Sequence, residues 1–592
     1  MSLGLMAATT PVFAQETTPA TPAASASPDA DVNNNEIIVT ATRRASPLSN
    51  VPIAVSAITA MSMQNSGAND IRQLNQLAPS LLVSSSGTEA NGAARIRGIG
   101  TVGDNPGLES SVAIFIDGVY RSRTGAGLSD LGELERIEVL RGPQGTLFGR
   151  NASAGLINIV SKKPSFTLGA SGDITYGNYD YWRASASITG PVTDKVALRL
   201  DGVWSKRDGF MNLVNTSGQK TGDTNDRDRY FVRGQALIEP NDALSIRLIG
   251  DYTNRDEHCC AAVYISKTET LAPAPGTVSP TNRIANILQA ISGQPITIDP
   301  YSRNASITPG REYISKLKDW GLSGEINYDF GNAKLTSITA YRDYKSNDSG
   351  DYDYNAADIL YRDPNTYRQF KTFTQELRLQ GDAFDKKLDW LVGGFYSHED
   401  LTVEDNIVFG SDYGKFATCR LLTAGLTTTS VPFNVTNFPY SFCGSQAGVA
   451  ALIAGGVPAP LQPAFNALLN IPVGTGDTNS RYFQKSRSWA VFTHNIVHIT
   501  DRLDLTLGLR YTHERKNFSA SLANNNATCA ALQPLLAGAV AGGLGAAAAQ
   551  AAGGVLTLAC LGNSSTGLNA LNLKDKFGDG ELSGTSVLSF KP

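Results

Sequence analysis

From about residue 168 onward the chain repeats a pattern that few folds accommodate: strictly alternating stretches of membrane-spanning length. In "RLDLTLGLRYT", Leu503, Leu505, Leu507, Leu509 and Tyr511 point one way, while Asp504, Thr506, Gly508, Arg510 and Thr512 point the other. One face suits lipid and the other suits water. The same period runs through "ALSIRLIGDY", with Leu244, Ile246, Leu248 and Tyr252 against Ser245, Arg247 and Asp251. It recurs in "VALRLDGVW", with Val196, Leu198, Leu200 and Trp204 against Arg199 and Asp201. Soluble sandwiches also alternate, so the strands alone do not decide.

The connections do. Short turns fall at 189–195, 239–243, 329–333, 381–387 and 499–502, and long inserts lie between them near 208–226, 256–315, 345–369, 400–485 and 517–584. Strict alternation of short and long is expected of an outer-membrane barrel with tight periplasmic turns and long outer loops. A sandwich has no reason to put every long loop at one end. No run is long and apolar enough for a membrane-spanning helix, which leaves a closed barrel as the way across lipid. The 57 glycines, and the 43 Tyr and Phe against 10 Met and Trp, favour turns and strands.

Eleven complete strands can be counted, with a twelfth beginning at "TSVLSFKP". Residues 45–164 form a compact unit without spanning strands, and a lumen plugged by such a unit belongs to a barrel of about 22 strands. The expected fold is therefore mostly β: a small α+β plug inside an antiparallel transmembrane β-barrel, with about twelve strands present here. This part of a larger barrel, residues 165–592, is not expected to close by itself. Within the plug, "NDIRQLNQLAP" reads as a capped helix, and "SVAIFID", "RIEVL" and "LINIV" read as strands.

At the amino end, residues 1–14 resemble a signal peptide ending in Val12, Phe13 and Ala14, without the usual positive start. Residues 15–35 are rich in Pro, Ala, Ser and Asn and read as a solvated linker. The six cysteines all fall in long inserts, hence outside the cell, where disulfides persist. Pairs Cys419 with Cys443 and Cys529 with Cys560 are expected, with Cys259 and Cys260 either bridged to each other or in reserve.

A net charge of -4 leaves no nucleic-acid footprint, and no convergent catalytic set is visible, so an enzyme is not expected. The five histidines are scattered. His494 and His498 share a strand face and are expected near the periplasmic rim as girdle residues, with no metal or cofactor. A dinucleotide reading of Gly98, Gly100 and Gly103, with Asp117 downstream, fails because Pro106 and Gly107 break the helix that the third glycine must open.

The combination of "EIIVTATRR", "RIRGIG", "AIFIDGVY" and "LERIEVLRGPQGTLFGRNASAGLINIVSKKP" closely resembles the plug and TonB box of the TonB-dependent outer-membrane receptors. The resemblance covers nearly the whole chain from Glu36, although the family's last ten or so strands are absent. It implies a monomeric receptor in outer-membrane lipid that actively takes up a small-molecule ligand, most often a ferric siderophore; a glycan, cobalamin or aromatic nutrient is the alternative. The implied partner is TonB with its inner-membrane energising complex. Residues 36–44 become the TonB box, with Glu36, Ile37, Ile38, Val39, Thr40 and Ala41 adding as a strand to TonB. Gly103, Asp104, Asn105, Arg121 and Arg123 are carried over as ligand-facing apical residues. Arg97 and Arg141 match plug arginines that lock against wall glutamates, for which the inward-facing Glu376 is the candidate partner.

Overall fold

A computed structural model describes residues 37–68, 71–85, 92–101, 105–123, 125, 132–264, 283–294, 296, 299–423, 444–454, 459–541 and 546–590. Twelve strands make one antiparallel wall, each paired with the next in the chain: Gly169–Gly177, Tyr181–Thr193, Val196–Arg207, Arg227–Asn241, Leu244–Glu257, Ile314–Asp329, Ala333–Asp351, Tyr367–Ala383, Leu388–Glu404, Arg481–Thr500, Leu503–Ser521 and Asn572–Phe590. Every connection expected to be short is short. The twelfth strand starts at Asn572, so the last insert ends well before the expected residue 584. Its polar first half, "NLKDKFGDG", hides the alternation that "LSGTSVLSF" shows. Among the described residues the first and last wall strands do not pair with each other.

The alternation sorts side chains as two solvents require. In Val196–Arg207, Ala197, Arg199, Asp201, Val203 and Ser205 are buried, while Leu198, Leu200 and Trp204 are exposed on the outer face. Aromatic side chains form a row across that face in directly opposed pairs, Trp204 with Tyr230, Tyr252 with Trp320, Tyr341 with Phe373 and Tyr396 with Trp489. Such a belt matches the aromatic girdle of a membrane interface. His494 departs from the girdle reading, being buried on the inner face beside the plug's Arg44, whereas His498 sits at the rim with its Nδ1 2.7 Å from Asp504.

Inside the wall, the plug centres on a five-stranded sheet in the order Val55–Thr59, Leu134–Arg141, Gly155–Ser161, Val112–Ile116, Val119–Arg121. Val112–Ile116 is buried on both faces and runs parallel to Gly155–Ser161, which is why "VAIFI" reads as a continuous apolar run and not as an alternating one. A helix not singled out from the sequence, Ala60–Ser66, is capped by Thr59, whose hydroxyl accepts from the Ser62 N–H at 3.2 Å. The expected helix within 69–79 is instead a 3-10 turn, Ile71–Gln76. Its period of three places Ile71 and Leu74 together in the plug core, and the Asn75 side chain accepts from the Val83 N–H, tying the turn to its neighbour strand.

Two of the decoy glycines, Gly98 and Gly100, lie at a hairpin end. Gly98 adopts φ +80°, and a Cβ on Gly100 would lie 2.5 Å from the Ala94 carbonyl oxygen. Gly100→Ala is expected to shift this hairpin and destabilise the plug by about 1–3 kcal/mol. Faster tryptic cleavage within residues 45–164 is the check, and an unchanged rate would mean that the hairpin yields freely.

The long connections are not irregular. Helices Arg283–Ser292, Tyr413–Thr423, Gln446–Ala454, Gln462–Leu469, Ala527–Ala541 and Ala546–Ala559 come from three different connections and share one apolar core that includes Ile287, Leu288, Tyr413, Phe465, Leu468, Leu536 and Val555. Cys529 and Cys560 are bridged and brace the last two helices, and Cys259 and Cys260 are bridged to each other. Cys419 is buried and disulfide-bonded, and Cys443, its expected partner, lies outside the described residues. Opening the 529–560 bridge by Cys529→Ser is expected to destabilise this helical cap by about 3 kcal/mol. Protease accessibility of residues 527–559 reads that loss, and equal accessibility with and without the bridge would contradict it.

Candidate functional site: the plug against the wall

The segment expected to reach out as a free strand is docked. Ile38–Val39 pairs with Ser46–Pro47, the Leu48 N–H donates to the Ile37 carbonyl at 2.9 Å, and Val39 and Ala41 are fully buried. Thr40 donates its N–H to Glu138 Oε1 at 2.8 Å, and Arg136 and Asn158 also donate to the fully buried Glu138 carboxylate. Glu36 lies outside the described residues.

Arg43, two residues beyond Ala41, carries the contact to the wall. Its guanidinium lies over the rings of Phe148 and Phe115, 4.3 and 4.8 Å from their centroids, and pairs with Glu376 at 3.0 Å. Burial lowers the Arg43 pKa to about 10, against the opposing pull of Glu376. Arg44 pairs with Asp389 at 3.2 Å. The lock assignment is thereby corrected: Glu376 does face inward, but its partners are Arg43 and Arg378. Arg97 is exposed and Arg141 is half-buried, and neither reaches Glu376. Alternation gives the face of an inward glutamate but not its height, and height chooses the arginine.

The far end of the plug makes a second set of contacts. Arg123 Nη2 lies 3.1 Å from the buried Glu399, its Nε donates to the Pro106 carbonyl at 3.0 Å, and its guanidinium stacks over Phe370. Arg150 bridges Glu109, at 3.1 Å, and Glu514 of the wall. Lys516 reaches Glu109 at 3.2 Å. Burial alone would raise the Glu109 pKa, yet Arg150, Arg123 and Lys516 together hold it down at about 2. Glu109, Arg150, Glu399 and Glu514 were not singled out from the sequence; inward parity on "SHEDLTVE" and "RYTHERK" was the available signal.

Arg121 and Arg123, carried over as ligand-facing residues, are both buried. Arg121 lines a small cavity of about 30 Å³ between plug and wall, near Asp251 and Asp319. Asn105 is exposed and folds back on its own turn, its Oδ1 accepting from the Gly107 N–H at 2.8 Å. Gly103 and Asp104 lie outside the described residues. The acid of the dinucleotide decoy has its own role: Asp117 accepts from the Ser161 N–H and hydroxyl and pairs with wall Arg247 at 3.3 Å. Burial raises its pKa, but Arg247 and Arg233 bring the net shift downward.

Asp389 and Glu399 lie on one wall strand, ten residues apart, Asp389 beside a short turn and Glu399 towards a long connection. At about 3.3 Å per residue the two plug contacts are on the order of 33 Å apart along the strand. The docked segment therefore lies at the short-turn end and the Arg123 cluster towards the helical cap.

A family model described as the TonB-dependent Receptor Plug Domain matches residues 47–156. The pesticin receptor of Yersinia pestis is 27% identical over 165 residues, 27% of this chain and 24% of that one. The ferrioxamine B receptor of Salmonella typhimurium is 32% identical over 208 residues, 33% of this chain and 27% of that one. The chain matches these curated relatives over about a quarter of their length. The crystal structure of the ferric yersiniabactin uptake receptor FyuA from Yersinia pestis superposes with a TM-score of 0.61 at 14% identity, covering 92% of this chain and 62% of that one. Plug match, inward-polar wall and aromatic belt agree: residues 47–156 belong to the TonB-dependent receptor plug domain family, and they sit in a wall that shares the fold of these outer-membrane receptors.

Proposed function

We infer that the chain takes up a ferric siderophore across the outer membrane, drawn inward when TonB pulls on residues 36–41. The observation that carries this reading is a plug tied to the wall at both ends, by Arg43 to Glu376 and by Arg123 to Glu399. A ligand cannot pass until those contacts break, and the outer membrane has no nucleotide to drive that step, so the work arrives mechanically. An extended segment that can join a partner's sheet is a suitable handle. The similarity to a ferrioxamine B receptor and to a ferric yersiniabactin uptake receptor supports iron chelates as the ligand class.

The plug contacts at residues 105–123 define the ligand side in this reading, with the cap above. The test is growth-linked uptake in a receptor deletion complemented by the gene, across ferric hydroxamates, ferric catecholates, cobalamin and oligosaccharides. Rescue by an iron chelate, with expression repressed by iron, is the expected result. Rescue only by cobalamin or a sugar would overturn the ligand class and leave the transport mechanism standing.

A further inference from the structure

Between the seventh and eighth wall strands, the sequence Asp351-Tyr352-Asp353-Tyr354-Asn355 sets three oxygen-bearing side chains at every second position. The turn is partly buried: Asp351 is 6% exposed and Asn355 2%, while Asp353 is half-buried. Backbone N–H groups hold the carboxylates in place. Asp351 accepts from Tyr354 at 2.8 Å and Thr308 at 2.9 Å, and Asp353 accepts from Leu360 at 2.7 Å and Ile359 at 3.0 Å. Among the described residues no lysine, arginine or histidine pairs with either carboxylate; the nearby Arg311 is taken by Asp358 and Arg362 by Asp405. Two acids share one turn without a cationic side chain paired to either among the described residues.

A separate observation points to a missing ligand. The Tyr313 side chain is 97% buried, being 3% exposed, and its hydroxyl has no hydrogen-bond partner. Its ring stacks on Tyr354 of the turn, with centroids 5.9 Å apart, and the charges of Asp351 and Asp353 both act on the hydroxyl. Tyr264 faces the same two carboxylates. A buried phenol without a partner costs free energy unless a water or ion-bound water receives it.

We propose that the Asp351–Asn355 turn is a calcium site, in which the two carboxylates and the Asn355 side-chain carbonyl bind the ion and bound water meets the Tyr313 hydroxyl. The donors are all hard oxygens, and no third carboxylate, histidine or cysteine converges among the described residues, which disfavours transition metals. Calcium tolerates an irregular shell of six to eight oxygens, whereas magnesium demands a near-ideal octahedron. Spacing at i, i+2 and i+4 is that of the first three ligands of an oxygen-donor loop. The turn departs from the helix-loop-helix version, with Ala356 where that loop has glycine and Arg362 where it has its bidentate glutamate, so water completes the shell.

The consequence is local bracing. The amides of Ile359 and Leu360 that Asp353 holds belong to the stretch whose Ala357 and Ile359 enter the cap core. An ion in the turn fixes that stretch against the helices.

The experiment uses the full folded chain in detergent, stripped with EDTA, and terbium(III) excited through the adjacent tyrosines. Saturable emission displaced by calcium is expected, with Asp353→Asn weakening binding about ten-fold or more and Asn355→Asp tightening it several-fold, as an added charged ligand does. Should Asp353→Asn fail to fold, Asn355→Asp decides, because a third carboxylate strengthens an ion site and disrupts a turn that only shares a proton. Absence of saturable emission, emission that calcium does not displace, full binding by folded Asp353→Asn, or weaker binding by Asn355→Asp would each overturn the proposal. Neither substitution touches the docked segment or the plug contacts, so failure here is distinguishable from failure of the uptake reading.

Discussion

Val39→Pro is expected to reduce uptake to background while surface binding of ligand stays near normal. Proline has no N–H to donate and fixes φ, so a strand carrying it mid-segment cannot complete a ladder with a partner. In the docked state Val39 is fully buried beside Leu391 and Phe492 of the wall, so the same change also loosens docking. Ile38→Pro lessens the second effect, because the Ile38 side chain is 42% exposed and Ile38 joins the docked segment mainly through its main-chain pairing with Pro47. Both variants should lose transport if strand addition is the coupling step, and single alanines should do less, since main-chain bonds carry most of such a contact. Uptake assays paired with ligand binding to whole cells check this. Normal uptake by either proline variant, with the protein verified in the outer membrane, would sink the assignment of residues 36–41.

The second large effect is expected from Glu376→Ala. It leaves the Arg43 guanidinium buried among Phe115, Phe148 and Arg510 without its carboxylate, and an uncompensated buried charge costs about 3–5 kcal/mol. Relief comes by releasing residues 37–44 into water, so trypsin should cut after Arg43 and Arg44 without any ligand. Replacing both partners, Arg43→Leu with Glu376→Leu, should restore protection, because a matched apolar pair carries no orphan charge. Equal protection of the single variant and the parent would show that Arg43 is not what holds the segment.

The wall was legible because lipid enforces it: each strand of "VALRLDGVW" type must separate polar from apolar at a period of two, and each turn must be brief where the chain reverses at the rim. The plug strands were legible for a different reason, since "VAIFI" and "LINIV" are too apolar to lie anywhere but in a core. Two kinds of fact stayed hidden. A β-prone segment such as "IIVTA" reads the same whether docked or free, so its pairing with Ser46–Pro47 had no signature. The pairing of Arg43 with Glu376 joins residues 333 positions apart, and nothing local distinguishes Arg43 from Arg97 or Arg141. The helices of the long connections did leave a trace in the alanine-rich run 527–560, but their common core depends on which connections the wall brings side by side.

That common core has a consequence for assembly. Its residues run from Ala285 to Ala559, on connections separated by wall strands that must first be laid down in register. A slip of one residue in any intervening strand would turn its polar face to lipid and also carry one cap helix out of step with the others. The cap therefore inspects the wall: its core closes only over correctly zipped strands, and burial of Phe465 and Leu536 reports on membrane-embedded pairing that no probe in the aqueous loops would otherwise see.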